Sequence, residues 1–243
     1  MLTVDTKISA LLLGSSPYHA KRNFYPPEEA AFRDIFGPPK KILFLPFALK
    51  DHEGYTAYYR KFFAAFGHEV EALSCHETNT AKQNAVAHAE GIFIGGGNTF
   101  RLLAALHAFG IFEPLKKKIA GSTPYLGTSA GATLFCPTIK TTNDMPIVSV
   151  PNLDAFGFLP FQINPHFPDG ETQGAAESRR DRLREFLEEN ETPVLALRES
   201  GFIAIKNGKL TLGGGKLAVL FRRDRQSMDV NDFGPLEKQS DGS

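Results

Sequence analysis

Cysteine is scarce in this sequence, and the two that occur, Cys75 and Cys136, lie far apart along the chain. Isolated cysteines do not form the closely spaced pairs from which zinc sites are built, and they do not suggest a disulfide framework. We therefore predict no metal site, and we interpret both residues as reduced thiols that pack as small hydrophobic side chains.

Long apolar runs are also missing, as is any excess of charge of one sign. No run reaches the roughly 18 to 20 apolar residues that a membrane span needs, and the first nine residues lack the basic start and long apolar stretch of a secretory signal. Lysine plus arginine equals aspartate plus glutamate, with 27 of each. No global attraction to nucleic acid or to an anionic membrane is expected. These absences predict a soluble, cytoplasmic protein with a small substrate, and they leave open a monomer or a small homo-oligomer.

Short β-rich runs alternate with helical patterns over most of the chain, which is typical of an α/β protein whose mostly parallel sheet carries helices on both faces. The length suits a single domain, which we assign to residues 1–223, and the polar residues 224–243 are predicted to fray. Predicted strands lie at 8–14, 41–46, 69–73, 91–94, 124–127, 192–197, 202–206, 209–212 and 217–221. Predicted helices lie at 53–66, 80–90, 114–120 and 175–189, and a further helix, capped by Asn98 or Thr99, ends near 109.

Residues 127–131 (GTSAG) fit the G-x-S-x-G nucleophile elbow. In this motif a serine occupies a tight turn between a strand and a helix, and the glycines leave room for it. The string alone is weak, but here a short apolar strand precedes it and small residues open a helix after it. The context predicts that Ser129 is a nucleophile.

A serine hydroxyl needs a base, and a third group must orient that base. His166 is the candidate, because the segment 164–167 (NPHF) places it on a proline-stiffened turn just after an apolar strand. The remaining histidines are interpreted as solvated or packed side chains: His19, His52, His68, His76, His88 and His107.

Two carboxylates compete for the third role. Asp144 lies in the polar segment 141–146 (TTNDMP) and gives the chain order Ser, Asp, His, which is one of the known orders. Glu199 lies just after the predicted strand 192–197. Either residue would also serve as a cap or a turn residue, so the pattern leaves both open.

The triple glycine at 95–97 precedes a predicted helix. Backbone N–H groups at such a junction are able to face a developing negative charge. Gly97, together with Ala130 after the nucleophile, is therefore the candidate oxyanion hole. The segment has neither the G-x-G-x-x-G spacing of dinucleotide sites nor the ending of a P-loop, so no nucleotide and no other cofactor is expected.

Four segments together closely resemble the peptidase E family: GGGNTF (95–100), GTSAGA (127–132), CPTIKTTNDMPIV (136–148) and FQINPHF (161–167). The resemblance runs from about 42 to 214. It implies a flavodoxin-like core related to class I glutamine amidotransferases, with extra C-terminal strands. It also implies a serine dipeptidase that releases aspartate from the N-terminus of α-linked dipeptides, with Ser129 as nucleophile, His166 as base and Asp144 or Glu199 as acid.

Two departures from the family pattern affect the site. Thr128 replaces a bulkier residue, and Arg198-Glu199-Ser200 replaces a Pro-Glu-Gly-like stretch, for which reason Asp144 is favoured over Glu199 as the acid. The resemblance also aligns Arg179, in the arginine-rich predicted helix, with a position associated with recognition of the substrate's aspartate. An arginine suits that role because a buried carboxylate needs a cationic partner.

Two other functions are consistent with the sequence. A cyanophycinase-like hydrolase would cleave β-linked aspartyl peptides, but this would favour a larger chain. A non-catalytic α/β binding protein would have kept the scaffold and lost activity, although residues of all three triad types are present.

Overall fold

The structure, a computed structural model, describes residues 4–168, 179–215 and 218–237. Its strands are β1 (Ala10–Leu13), β2 (Lys41–Leu45), β3 (Glu69–Ala72), β4 (Gly91–Ile94), β5 (Tyr125–Thr128), β6 (Gln162–Phe167), β7 (Val194–Arg198), β8 (Phe202–Lys206), β9 (Lys209–Gly213), β10 (Ala218–Phe221) and β11 (Met228–Val230). Its helices are α1 (Pro17–Ala20), α2 (Pro26–Phe36), α3 (His52–Ala64), α4 (Asn79–His88), α5 (Thr99–Ala108), α6 (Phe112–Ala120), α7 (Ala130–Thr133), α8 (Arg179–Glu189) and α9 (Gly234–Glu237), and a 3-10 turn covers Leu73–Cys75.

The main sheet has seven strands in the order β3-β2-β4-β5-β1-β8-β9. The first five are parallel, and β8 and β9 add antiparallel strands at one edge. The central strands are short apolar runs that are buried on both sides, as in β1 (ALLL) and β4 (GIFI). The predicted α/β class with a mostly parallel sheet is confirmed.

Helices pack on both faces of this sheet, because successive strand residues point to opposite sides. Leu12 and Ile92 enter a core shared with α5 and α6, whereas Leu11 and Phe44 enter a second core formed with α2 and α3. The second core is rich in aromatic rings from α3, which explains the tyrosine and phenylalanine spacing of that helix. Helix α2 was not predicted; Pro26 begins it and Gly37 follows its last residue.

A second sheet of four strands, in the order β11-β10-β7-β6, adjoins the first. The extra C-terminal strands that the sequence predicts are therefore divided: β8 and β9 extend the main sheet, while β7 and β10 join the second one. The prediction that residues 224–243 fray is wrong for 228–230, because β11 pairs with β10. Residues 238–243 and the start of the predicted helix 175–189 lie outside the described residues.

The register brings the carboxyl ends of three parallel strands to one edge. Leu13 of β1 lies beside Thr128 of β5, and Ile94 of β4 lies beside Gly127. The segments that follow these strands therefore meet at the edge where ligands bind in open parallel sheets. Within the described ranges, no helix is both long enough and apolar enough to cross a bilayer.

We expect the two cysteines to differ in reactivity. Cys136 is fully buried, accepts a hydrogen bond from the Ile163 N–H, and has a pKa that burial raises to about 12. Cys75 is exposed, so the prediction that it packs as a hydrophobic side chain is wrong. Because only the thiolate reacts, an alkylating reagent at pH 8 should label one thiol of the folded protein and both after denaturation. Two equivalents consumed rapidly by the folded protein, or fast labelling that survives Cys75→Ser, would contradict this assignment.

Candidate active site

Ser129 occupies a strained turn between β5 and α7. Its backbone has φ 52° and ψ −107°, an unusual conformation for a residue other than glycine. The turn is tight: a β-carbon at Gly127 would lie 2.7 Å from the carbonyl carbon of Gly131. The Ser129 N–H donates to the Leu13 carbonyl, and the Ser129 carbonyl accepts from the Thr133 N–H. This is the geometry of a nucleophile elbow.

His166 lies beside the nucleophile, as the sequence predicts. Its Nε2 is 2.8 Å from the Ser129 hydroxyl oxygen. His166 has a positive φ of 58° and lies within an irregularity in the pairing of β6 with β7, between Asn164 and Phe167. Its N–H donates to the Gly14 carbonyl at 3.0 Å. The irregular end of β6 thus turns the imidazole toward the main sheet.

Glu199, and not Asp144, contacts the far side of the imidazole. The Glu199 Oε1 is 2.8 Å from His166 Nδ1, and this hydrogen bond is the main reason that the pKa of the Glu199 carboxyl lies below its ordinary value. The preference for Asp144 is corrected accordingly, and the alternative acid takes its place in the chain of contacts. Glu199 follows the last residue of β7, which runs beside β6, and this pairing brings the two side chains together.

Asp144 binds the start of α5 instead. Its Oδ2 accepts hydrogen bonds from the Thr99 N–H at 2.8 Å, the Thr99 hydroxyl at 2.6 Å and the Thr142 hydroxyl at 3.0 Å. A carboxylate at a helix N-terminus satisfies free N–H groups and interacts favourably with the helix dipole. Asn98 caps the same helix, as predicted. Asp144 therefore joins its loop to the start of α5, which closely follows the glycine segment at 95–97.

Gly97 and Ala130 are the candidate oxyanion hole, and Gly97 directly follows Gly96, which packs on the Ser129 side chain. Ala130 is the first residue of α7, directly after Ser129. Among the residues that the structure describes, neither the Gly97 nor the Ala130 N–H has a hydrogen-bond acceptor. Two unpaired amides next to a nucleophile are available to an anionic oxygen, and the assignment stays a prediction.

Arg179, the first residue of α8, lies against the turn that carries His166. Its Nη1 donates to the Pro165 carbonyl at 3.1 Å and to the His166 carbonyl. Burial lowers the pKa of Arg179, and nearby Glu199 raises it. The structure thus places this guanidinium at the site. Its other nitrogens have no hydrogen-bond partner within the described part of the chain.

His19 also lies near the site, whereas the sequence alone indicates only a solvated or packed side chain. Partial burial lowers its pKa, the neighbouring His166 lowers it further, and Asp144 raises it. His19 follows β1 by six positions, and β1 ends at the same sheet edge as β5. The common edge of parallel strands was the signal that could have found it.

A chain of polar contacts, which the sequence does not predict, ends at the backbone carbonyl of Glu199. The Ser15 hydroxyl donates to the Glu199 carbonyl at 2.6 Å, and Arg22 donates to Ser15 at 3.0 Å. Arg22 also binds both carboxylate oxygens of Glu28, whose side chain is only 1% exposed. A bidentate arginine–carboxylate pair has a defined geometry, and Ser15 connects this pair to the backbone of Glu199.

Within the described ranges, no group of three or more histidine, cysteine, aspartate or glutamate side chains is arranged to hold a metal ion. The chemistry that the site itself supports is nucleophilic attack by a hydroxyl, assisted by an imidazole that a carboxylate orients.

Comparison with known proteins gives consistent matches. The profile of Peptidase family S51 matches residues 10–213. The chain is 41% identical to "Peptidase E" of Streptomyces coelicolor over 221 residues, which are 89% of this chain and 88% of that protein. It is 36% identical to "Probable alpha-aspartyl dipeptidase" of Drosophila melanogaster over 231 residues, and this aligned region covers 93% of this chain and 95% of that protein. The crystal structure of a peptidase from an acI-B1 actinobacterium superposes with a TM-score of 0.60 at 17% identity, covering 95% of this chain and 96% of the other, and so shares the fold.

The two carboxylates should respond differently to replacement by their amides. Glu199→Gln should lower kcat about 100-fold, because the amide favours the wrong tautomer of His166. A buried aspartate in this role contributes about 10⁴-fold, and we expect a smaller effect here because the Glu199 side chain is 57% exposed. Asp144→Asn should change kcat less than about tenfold and cost about 1 kcal/mol of folding stability, since it removes a charge at the N-terminus of α5.

Rates and melting temperatures are measured at pH 7, where the lowered pKa of Glu199 leaves the wild-type carboxylate ionised. If Asp144→Asn lowered kcat more than Glu199→Gln did at an unchanged melting temperature, the orienting role would return to Asp144.

Proposed function

The chain belongs to Peptidase family S51, and from this premise we propose that it is a serine dipeptidase that hydrolyses α-linked dipeptides with aspartate at the N-terminus. The hydrogen-bonded chain from Ser129 through His166 to Glu199 carries the proposal. The names of its relatives, peptidase E and probable alpha-aspartyl dipeptidase, support the substrate class, and the similarity covers nearly the whole length of the chain.

In the proposed reaction, the Ser129 hydroxyl attacks the carbonyl carbon of the aspartyl residue while His166 Nε2 accepts the hydroxyl proton. The amides of Gly97 and Ala130 bind the oxygen that becomes negatively charged. His166 then gives its proton to the leaving amine, and an acyl-enzyme remains. Water, deprotonated by the same imidazole, attacks the ester and releases free aspartate.

Glu199 has the orienting role in this proposal. Its hydrogen bond to Nδ1 keeps the second imidazole proton on that nitrogen, so Nε2 is free to accept the proton of Ser129. The carboxylate also stabilises the imidazolium that forms during attack. Both effects need an ionised carboxyl group, and the lowered pKa of Glu199 keeps it ionised at neutral pH.

Arg179 is proposed to bind the side-chain carboxylate of the substrate's aspartate. Its position against the turn of His166 places a cation at the site, and the nitrogens that do not bind the backbone are suited to a carboxylate. This assignment accounts for selection of aspartate over asparagine, because an arginine that meets a neutral amide keeps an unpaired charge.

We also propose that the protein acts in the cytoplasm. Its two cysteines are unpaired and about 61 residues apart in sequence, which suits a reducing compartment. A dipeptide substrate needs no macromolecular partner, and a monomer or small homo-oligomer suffices for the proposed chemistry.

Replacing the nucleophile tests the mechanism. Ser129→Ala should lower kcat for Asp-Leu by about 10⁴-fold or more, and adding His166→Ala should cost less than about tenfold further, because triad members act as a unit. The melting temperature should stay close to that of the wild type. Release of leucine from α-Asp-Leu is measured beside β-Asp-Leu, which the wild type should leave uncut. Retention of activity within tenfold in Ser129→Ala would rule out the serine mechanism.

Substrate selection is tested at Arg179. Arg179→Ala should lower kcat/KM for Asp-Leu about 30- to 5,000-fold, which corresponds to about 2 to 5 kcal/mol, because the substrate carboxylate loses its partner. Arg179→Lys keeps the charge and loses the planar fork, so its kcat/KM for Asp-Leu should lie between those of the wild type and Arg179→Ala. Asn-Leu should already be a poor substrate of the wild type and should lose much less.

Asn-Leu also serves as the control for the backbone contacts of Arg179. A loss of similar size for both dipeptides would mean that Arg179 only supports the His166 turn and that another cation binds the aspartate.

A further inference from the structure

Tyr55 is a buried residue whose hydroxyl group reaches the glycine segment beside the nucleophile. It lies in the first turn of α3, and its side chain is completely buried. The hydroxyl donates a hydrogen bond of 3.1 Å to the Gly96 carbonyl. Burial raises the pKa of Tyr55 well above its ordinary value, so the hydroxyl keeps its proton and remains a donor.

The Gly96 carbonyl and the Gly97 N–H belong to one peptide group. That group is planar, and in a trans peptide the two bonds point in opposite directions. A contact that fixes the direction of the carbonyl therefore fixes the direction of the N–H. The other side of Gly97 is fixed as well, because the Asn98 N–H donates to the Ala48 carbonyl at 2.9 Å.

This glycine segment packs directly on the nucleophile. A β-carbon at Gly96 would lie 3.2 Å from the β-carbon of Ser129. Gly97 has a φ of +135°, and a β-carbon there would lie 2.5 Å from the Ala48 carbonyl oxygen. The segment is thus confined between Ser129, α3 and the loop after β2, and small rotations of the 96–97 peptide change where its N–H points.

We propose that Tyr55 is a positioning residue: through the Gly96 carbonyl, its hydroxyl aims the Gly97 N–H at the oxyanion that forms when Ser129 attacks the substrate. The proposal rests on the proposed function. Donation to the carbonyl also polarises the peptide group and strengthens its N–H as a donor. The oxyanion carries its full charge only after attack, so the contribution belongs to kcat and not to substrate binding.

The test compares two variants that each remove one phenolic oxygen from α3. Tyr55→Phe should lower kcat for Asp-Leu about 10- to 100-fold with KM within threefold, since losing an oxyanion donor outright costs about 10²- to 10³-fold. Tyr58→Phe is the control, because Tyr58 belongs to the same helix and its hydroxyl donates to the Pro17 and Arg22 carbonyls, not to the glycine segment. It should stay within threefold of the wild type.

Two further readouts separate positioning from a general structural effect. The aldehyde analogue of aspartate, which forms a tetrahedral adduct with a nucleophilic serine, should lose affinity for Tyr55→Phe by the same factor as kcat/KM. Hydrolysis of p-nitrophenyl acetate is measured as well, and only the part of the rate that Ser129→Ala abolishes is counted. This rate should fall by a similar factor in Tyr55→Phe, and it reports on Tyr55 even if Asp-Leu is not the substrate.

The outcomes are distinguishable. A wild type that does not cleave Asp-Leu contradicts the proposed function, while the acetate comparison still decides the role of Tyr55. Equal losses in Tyr55→Phe and Tyr58→Phe, a change confined to KM, or kcat of Tyr55→Phe within threefold of the wild type would overturn the positioning role. A Tyr55→Phe protein that fails to fold while Tyr58→Phe folds would also overturn it, since the hydroxyl would then be needed for stability alone.

Discussion

The close approach of β1, β4 and β5 at their carboxyl ends is the constraint on which the site depends. Ser129 has a positive φ at the end of β5, and a strained residue persists only when its surroundings hold it in place. The Ser129 N–H is bound to the end of β1, and Gly96, just after β4, packs on the Ser129 side chain. Each of these segments therefore fixes one side of the nucleophile, and the candidate oxyanion hole follows from the same packing.

The segment after β1 joins the main sheet to the second sheet. Gly14 accepts a hydrogen bond from the His166 N–H and donates one to the Gly201 carbonyl, and Ser15 binds the Glu199 carbonyl. Ser129 follows a strand of the first sheet, whereas His166 and Glu199 lie in or directly after strands of the second. The short distances from Ser129 to His166 and from His166 to Glu199 therefore require the two sheets to be docked in one arrangement, and residues 14–15 supply the contacts that do so.

Asp144 and Glu199 show how two similar carboxylates acquire different roles. The loop of Asp144 runs beside the His166 turn, because the Asn143 side chain donates to the Pro165 carbonyl. The Asp144 carboxylate nevertheless turns toward the first N–H of α5, where three donors meet it. Glu199 is more exposed but follows a strand paired with the strand of His166. Chain order alone could not separate them, since proximity in the loop and direction of the side chain are different properties.

The sequence by itself determined the α/β class, most strand and helix positions, and the choice of Ser129 and His166 as the candidate nucleophile and base. These follow from local rules: apolar runs of strand length, capping residues, and an elbow motif whose glycines and serine are adjacent in the chain. Only the tertiary structure placed Glu199, and not Asp144, against His166, divided the C-terminal strands between two sheets, and brought Tyr55 to the glycine segment. Those features depend on strand order and sheet docking, which are set by the packing of residues far apart in sequence and leave no local pattern in the chain.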